Sequence, residues 1–277
     1  MAEFFNKLKI GRMRTAVLRL YEQHKEQDML PTSARFLYYE LTKATDYQRM
    51  IAALTDLREQ GYIPWEDIVD ETRELTEWSV HDSVGEALKE RWQYAKLDLW
   101  EGAPPPVIIC ESRSLSGILE NLASEYQAPI TSTVGQVAGF LHTTLGKALH
   151  REGQIVLYLG DWDFSGGHIE QNSRRVLEEI VAHRLRWERV AITERQVVKH
   201  DLPKIMKKDK RTNKTHPSVE TEALGQRHII RLLRHRLAQI LPEGQRNRVL
   251  AKQKREQLQI AKELGYSTEG IFRFPRD

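Results

Sequence analysis

One cysteine in 277 residues excludes an intrachain disulfide framework. Cys110 closes an apolar run, Val107–Cys110, so it reads as a buried strand residue in a protein of a reducing compartment. No apolar run approaches the roughly 20 residues needed to cross a bilayer, and no signal-peptide pattern opens the chain, so a cytoplasmic location is expected. Charge of one sign is missing too. The 42 Lys and Arg against 39 Asp and Glu leave a net charge of only +3, compatible with a nucleic-acid partner but too mild to argue for one, so local clustering carries more information. A phosphate-binding loop of Walker type is absent, and an ATP-driven step would need a separate ATPase subunit. Proline is sparse, 10 in all, yet three stand together at Pro104–Pro106. That run is the best domain boundary in the chain.

What is present centres on Gln154–Ile169, QIVLYLGDWDFSGGHI. The apolar residues from Ile155 to Gly160 run into Asp161 and Asp163, a pattern expected of a buried parallel strand ending in an acidic turn. Carboxylates at i and i+2 project to one side of an extended chain and can share a hard cation. Taken alone, the pair equally suits a helix cap and a solvated acid. A second acidic strand end lies upstream, where Val107–Cys110 stops at Glu111. Between the two come a helical pattern at Leu115–Tyr126, a strand candidate at Pro129–Thr133 and a helix at Gln136–His150. In a doubly wound sheet of order 2-1-3 the first and third strands are neighbours, which places Glu111 roughly 5 Å from the Asp161 turn, at the switch-point crevice.

The amino-terminal half is read as helices over Glu3–Gln27, Pro31–Lys43 and Tyr47–Gln60, with a short break at Ala44–Asp46. Two short helices around such a turn suggest a winged helix, with the stretch after Gly61 as its wing. Asp82–Trp100 continues as a helical pattern. Two domains follow: 1–103, a winged-helix-like DNA-binding domain with an N-terminal helix, and 104–277, an α/β domain with C-terminal helices. Beyond the acidic turn a long helix, Gly167–Arg184, and a fourth strand, Trp187–Ile192, are expected. Next comes a basic loop bearing Lys207, Lys208, Lys210 and Arg211, suited to phosphate-backbone contacts or to simple solvation. Arg113 can offset a phosphate's charge or pair with a surface acid. His168 stands at the crevice mouth, where a proton carrier and an ordinary first-turn residue look alike. The last helix is expected at Gln245–Leu264.

Glu111, Asp161 and Asp163, within GDWDFSGGHI, resemble the signature of the Toprim fold, most closely the A subunit of topoisomerase VI and the related meiotic double-strand-break transesterase. The resemblance implies a Rossmann-like, mostly parallel α/β Toprim domain preceded by an α-rich winged-helix domain, and Mg²⁺ (or Mn²⁺) held by those three acids. It further implies a homodimer in which each tyrosine works against the partner's Toprim domain. Arg35-Phe-Leu-Tyr38-Tyr39 is similar to that family's Arg-x-x-aromatic-Tyr motif, which makes Tyr39 the nucleophile and Arg35 its neighbouring cation. Phe36 replaces the usual acid after the arginine, and Phe164 the common proline after the second Asp. The segment Val219–Leu224 is similar to an acidic-Ala-Leu stretch of the family, so Glu220 or Glu222 is a possible extra acid; either equally suits a helix N-terminus.

The expected function is metal-dependent DNA cleavage, by Tyr39 or by water. RNA as the substrate stays open. The alternative is a non-catalytic winged-helix subunit of a larger DNA-processing or defence complex. An aspartyl phosphatase also shows a DxD after an apolar strand, but on its first strand rather than its third.

Overall fold

The computed structural model describes residues 11–41, 46–69, 80–133, 140–149, 151–208 and 214–265. Contacts divide the chain into two compact units, Met1–Thr72 with Pro104–His235, and Arg73–Ala103 with Arg236–Asp277. The boundary expected at residue 103 therefore does not separate the amino-terminal helices from the sheet.

The first unit opens with three helices, α1 (Arg12–Glu26), α2 (Ala34–Glu40) and α3 (Tyr47–Glu59). Ser33 caps α2 by accepting from the Phe36 N–H, and Asp46 caps α3 by accepting from Gln48 and Arg49. Their apolar faces meet in a core of Val17, Leu18, Tyr21, Leu37, Met50, Leu54 and Leu57. Among the described residues, the stretch expected to form a wing makes one bridge, Ile68 with Thr32. Residues 70–79 lie outside the described residues, as do 1–10 and 42–45, where the first helix was expected to begin and the second to end.

The sheet follows: β1 (Val107–Cys110), β2 (Ile130–Ser132), β3 (Ile155–Leu159) and β4 (Arg186–Ala191), all parallel, in the order β2-β1-β3-β4. Every residue of β1, and all but the first of β3, is buried, as expected of strands covered on both faces. Helices α5 (Arg113–Glu125), α6 (Leu141–Leu145 running on through Gly146–Ala148) and α7 (Phe164–Val181) pack on it, and α8 (Glu194–Lys199) follows β4. One core joins α6, α7 and the sheet through Leu141, Leu145, Val156, Tyr158 and Leu177.

The basic stretch expected as a loop is a β-hairpin, β5 (Ile205–Lys208) against β6 (Thr215–Ser218), joined by residues 209–213, outside the described residues. A one-turn helix, Thr221–Leu224, then leads through Gly225 into α9 (Gln226–Ile240).

In the second unit, α4 (Val84–Arg91) and a turn at Trp92–Tyr94 are followed by extended chain, so the helical pattern expected to reach Trp100 stops early. Three buried glutamines of the last helix, α10 (Gln245–Leu264), engage that chain's backbone: Gln245 and Gln257 donate to the carbonyls of Leu99 and Ala95, and Gln253 accepts from Leu97. Hydrogen bonding to α10 replaces the i→i−4 bonds a longer helix would have made. No helix among the described residues is long and apolar enough to cross a membrane.

Candidate active site

Glu111 is the residue after β1, and its N–H still pairs with the Leu159 carbonyl of β3 at 2.9 Å. The two strand ends are thus in register, and the Glu111 Oε2 accepts the Asp161 N–H at 2.8 Å. Gly160 makes this approach possible, since a Cβ there would lie 2.6 Å from that same oxygen and 2.6 Å from the Tyr158 ring. Behind the turn, Arg189 of β4 donates to the carbonyls of Gly160, Asp161 and Ile192, and Glu170 of α7 holds its other edge at 2.9 Å. A charged residue inside a parallel strand is costly unless fully bonded, and Arg189 is bonded to the acidic turn itself.

In front of the turn runs the segment Ser218–Glu222. Trp162 and Val219 exchange two backbone hydrogen bonds at 2.9 Å, and this pairing aligns the neighbouring side chains. The Asp161 Oδ1 accepts the Thr221 N–H at 2.9 Å and its hydroxyl at 3.1 Å, and the Asp163 Oδ2 accepts the Ser218 hydroxyl at 3.1 Å.

Lys207, on β5, sends its Nζ among these acids, 3.1 Å from Asp161, 3.5 Å from Glu220 and 3.7 Å from Asp163. Burial opposes its charge, but Asp161, Glu220 and Asp163 outweigh that and hold the ammonium above the usual lysine range. Glu111 responds in the opposite sense. Burial first, then the charge of Asp161, pushes its carboxyl up to about 7, against the bond from the Asp161 N–H.

The amino-terminal motif reaches the same cluster. Tyr39 donates its hydroxyl to the Glu220 Oε2 at 2.8 Å, and Arg35, one turn earlier on α2, donates to that oxygen at 3.1 Å. Burial and then the bond to Glu220 push the Tyr39 hydroxyl well above the ordinary tyrosine range. Within one polypeptide Tyr39 thus reaches Glu220. Glu222 is buried and bonded elsewhere: its Oε1 accepts the hydroxyls of Ser112 and Ser114 at the start of α5, both at 3.1 Å, and burial raises its carboxyl.

Of the residues expected at the site, Arg35, Tyr39 and Lys207 meet at Glu220, Lys207 also bonds Asp161 and Asp163, and Glu111 bonds the Asp161 backbone behind them. Arg113 and Lys208 are exposed. Lys210, Arg211 and the side chain of His168 lie outside the described residues. Thr221, Ser218 and Arg189 were not foreseen, although a lone arginine inside the strand pattern Trp187–Ile192 was a usable signal.

Among the described residues no group of three or more His, Cys, Asp or Glu side chains is arranged to hold a metal ion. Glu111 faces the Asp161 backbone, and an ammonium sits between Asp161, Asp163 and Glu220. The donor chemistry nevertheless fits a hard cation: the acids offer only oxygen, and their field already gathers one positive charge, that of Lys207.

Comparison with protein-family models, with curated proteins and with solved structures returns no match to this chain.

Proposed function

We propose that this chain is a Mg²⁺-dependent DNA-cleaving protein with a winged-helix part and a Toprim part. The observation that carries the reading is the meeting of two motifs far apart in sequence. The Arg35/Tyr39 pair bonds one oxygen of Glu220, Lys207 links its other oxygen to Asp161 and Asp163, and Glu111 bonds the backbone of that aspartate turn. Chance packing of a surface helix gives no reason for a tyrosine and an arginine to bind an acid whose lysine partner also binds a strand-end aspartate pair.

Glu111, Asp161 and Asp163 are the residues that would hold Mg²⁺. When bound, the ion supplies Lewis-acid polarisation of a phosphate and offsets its charge. The chain's own residues do the rest. Arg189 and Gly160 keep the acidic turn rigid, so the carboxylates are aimed before substrate arrives. Arg35 and Lys207 place positive charge beside the acids, where an incoming phosphodiester needs it. Exposed Lys204, Lys208 and Arg113 surround the same end of the sheet and suit backbone phosphates. The nucleophile is the Tyr39 hydroxyl or a water.

The test is cleavage of supercoiled plasmid with and without Mg²⁺. Wild-type protein nicks or linearises the plasmid only with the metal, and Asp161→Ala and Asp163→Ala abolish this. Metal-dependent cleavage that survives both changes, or never occurs in the wild type, sinks the reading. Metal-independent duplex binding without cleavage would instead favour a DNA-binding assembly subunit.

A further inference from the structure

An attack by Tyr39 needs somewhere for the phenolic proton to go. We infer that Glu220 is the catalytic base that takes it, which makes Tyr39, not water, the nucleophile. The inference rests on the proposed DNA cleavage and adds a residue to it.

The geometry is that of a base and its acid. Tyr39 Oη and Glu220 Oε2 lie 2.8 Å apart, inside the 2.6–3.2 Å reach required for direct proton transfer. The groups facing Glu220 are Arg35 and Tyr39 from α2, Lys207 from β5, and the charge of Glu222 two residues on. Arg35 and Lys207 keep the carboxylate oriented, and Arg35 also sits close enough to favour negative charge on the phenolic oxygen. The other candidates are engaged elsewhere. Glu222 accepts from Ser112 and Ser114, and Tyr38 packs edge-on against Tyr39 and Tyr47 in the helical core.

Glu220 is also placed with respect to the acidic turn. Val219 before it pairs with Trp162, and Thr221 after it bonds to Asp161 through both N–H and hydroxyl. The two residues flanking it thereby tie the proton acceptor to the acidic turn, so a phosphate held at the acids lies beside the tyrosine rather than at an arbitrary distance.

The step balances without a further reactant. The Tyr39 O–H bond breaks and its proton passes to the Glu220 Oε2 while the phenolic oxygen bonds to phosphorus. One P–O bond to deoxyribose breaks, and the departing oxygen takes a proton from water. Religation runs the same steps backwards. A positioned base contributes roughly 10²–10⁴-fold to such a transfer.

The test measures covalent protein–DNA adduct on denaturing gels, using the full chain, Mg²⁺ and supercoiled plasmid. Wild type forms the adduct and Tyr39→Phe forms none. Glu220→Gln, still folded by its melting transition and still binding plasmid, forms it roughly 10²–10⁴-fold more slowly, and Glu220→Asp falls between. If Glu220→Gln does not fold, the comparison passes to Glu220→Asp, for which slowing supports the inference and wild-type speed overturns it. Wild-type speed in Glu220→Gln likewise overturns it. Cleavage to free ends that persists in Tyr39→Phe overturns the inference but leaves metal-dependent cleavage standing. Absence of any cleavage by the wild type removes both.

Discussion

Glu111 shows how one residue's surroundings set its chemistry. Its carboxyl is half shut away behind the Asp161 turn, with Gly160 admitting it and Arg189 bracing the carbonyls beyond. Burial and the Asp161 charge raise it from 4.5 to about 7, so the folded state prefers the neutral acid. Below about pH 4.5 the group is protonated whether folded or not and exacts no penalty. As pH rises to about 7 that advantage is lost, and above it the folded protein carries a poorly solvated charge. Glu111→Gln keeps an oxygen for the Asp161 N–H but cannot ionise. In metal-free buffer its stability relative to wild type is expected to rise from about pH 4.5 and level off above pH 7, with a gain of roughly 2–3 kcal/mol. Denaturant melts across this range check it, and a difference independent of pH would show that Glu111 is not the group responsible.

At the scale of elements, the segment from Ser218 to Gln226 is the clamp between the amino-terminal helices and the sheet. Its first half bonds to the acidic turn, and Glu220 bonds to α2. Its far end is Gln226, fully buried, which donates to the carbonyls of Met29 at 2.7 Å and Pro31 at 3.1 Å and accepts from the Thr32 hydroxyl at 2.6 Å. Gln226→Ala would take the partner from the buried Met29 carbonyl and Thr32 hydroxyl and from the half-buried Pro31 carbonyl at once. The expected cost is about 1–3 kcal/mol, read as a lower denaturation midpoint. Because α2 carries Arg35 and Tyr39, the substitution should also slow any tyrosine-dependent cleavage more than it weakens metal binding. Equal losses in both would mean that the clamp does not position α2.

For the whole molecule the net charge of +3 says little, because much of the positive charge is spent internally. Arg35 and Lys207 bind Glu220 and the aspartates, Arg189 binds the acidic turn, and Arg234 binds Glu125. What is left facing solvent around the carboxyl ends of the strands includes Arg113, Lys204 and Lys208. If these contact a DNA backbone, affinity falls linearly with the logarithm of salt concentration, and each of Arg113→Ala, Lys204→Ala and Lys208→Ala lowers that slope by about 0.9. Fluorescence anisotropy with a labelled duplex across a salt series measures it. Unchanged slopes in all three variants would move the DNA path away from this end of the sheet.

The sequence by itself determined the strands of the parallel sheet and the helices between them, though not the basic hairpin or the early end of α4. Buried parallel strands must be continuous apolar runs, and Val107–Cys110 and Ile155–Leu159 are such runs, each ending abruptly at an acid. It also singled out Glu111, Asp161 and Asp163, because an apolar run that stops at an acid is a local pattern, and Arg35 and Tyr39 by their resemblance to a family motif. Only the tertiary structure decided that Glu220 joins the two sets, that Lys207 turns inward from a hairpin, and that the compact units divide as they do. Those outcomes depend on contacts between residues up to about 200 positions apart, such as Tyr39 with Glu220 and Thr32 with Gln226. Local periodicity carries no information about such pairings, because they are selected by which buried polar groups can satisfy one another once the core has closed.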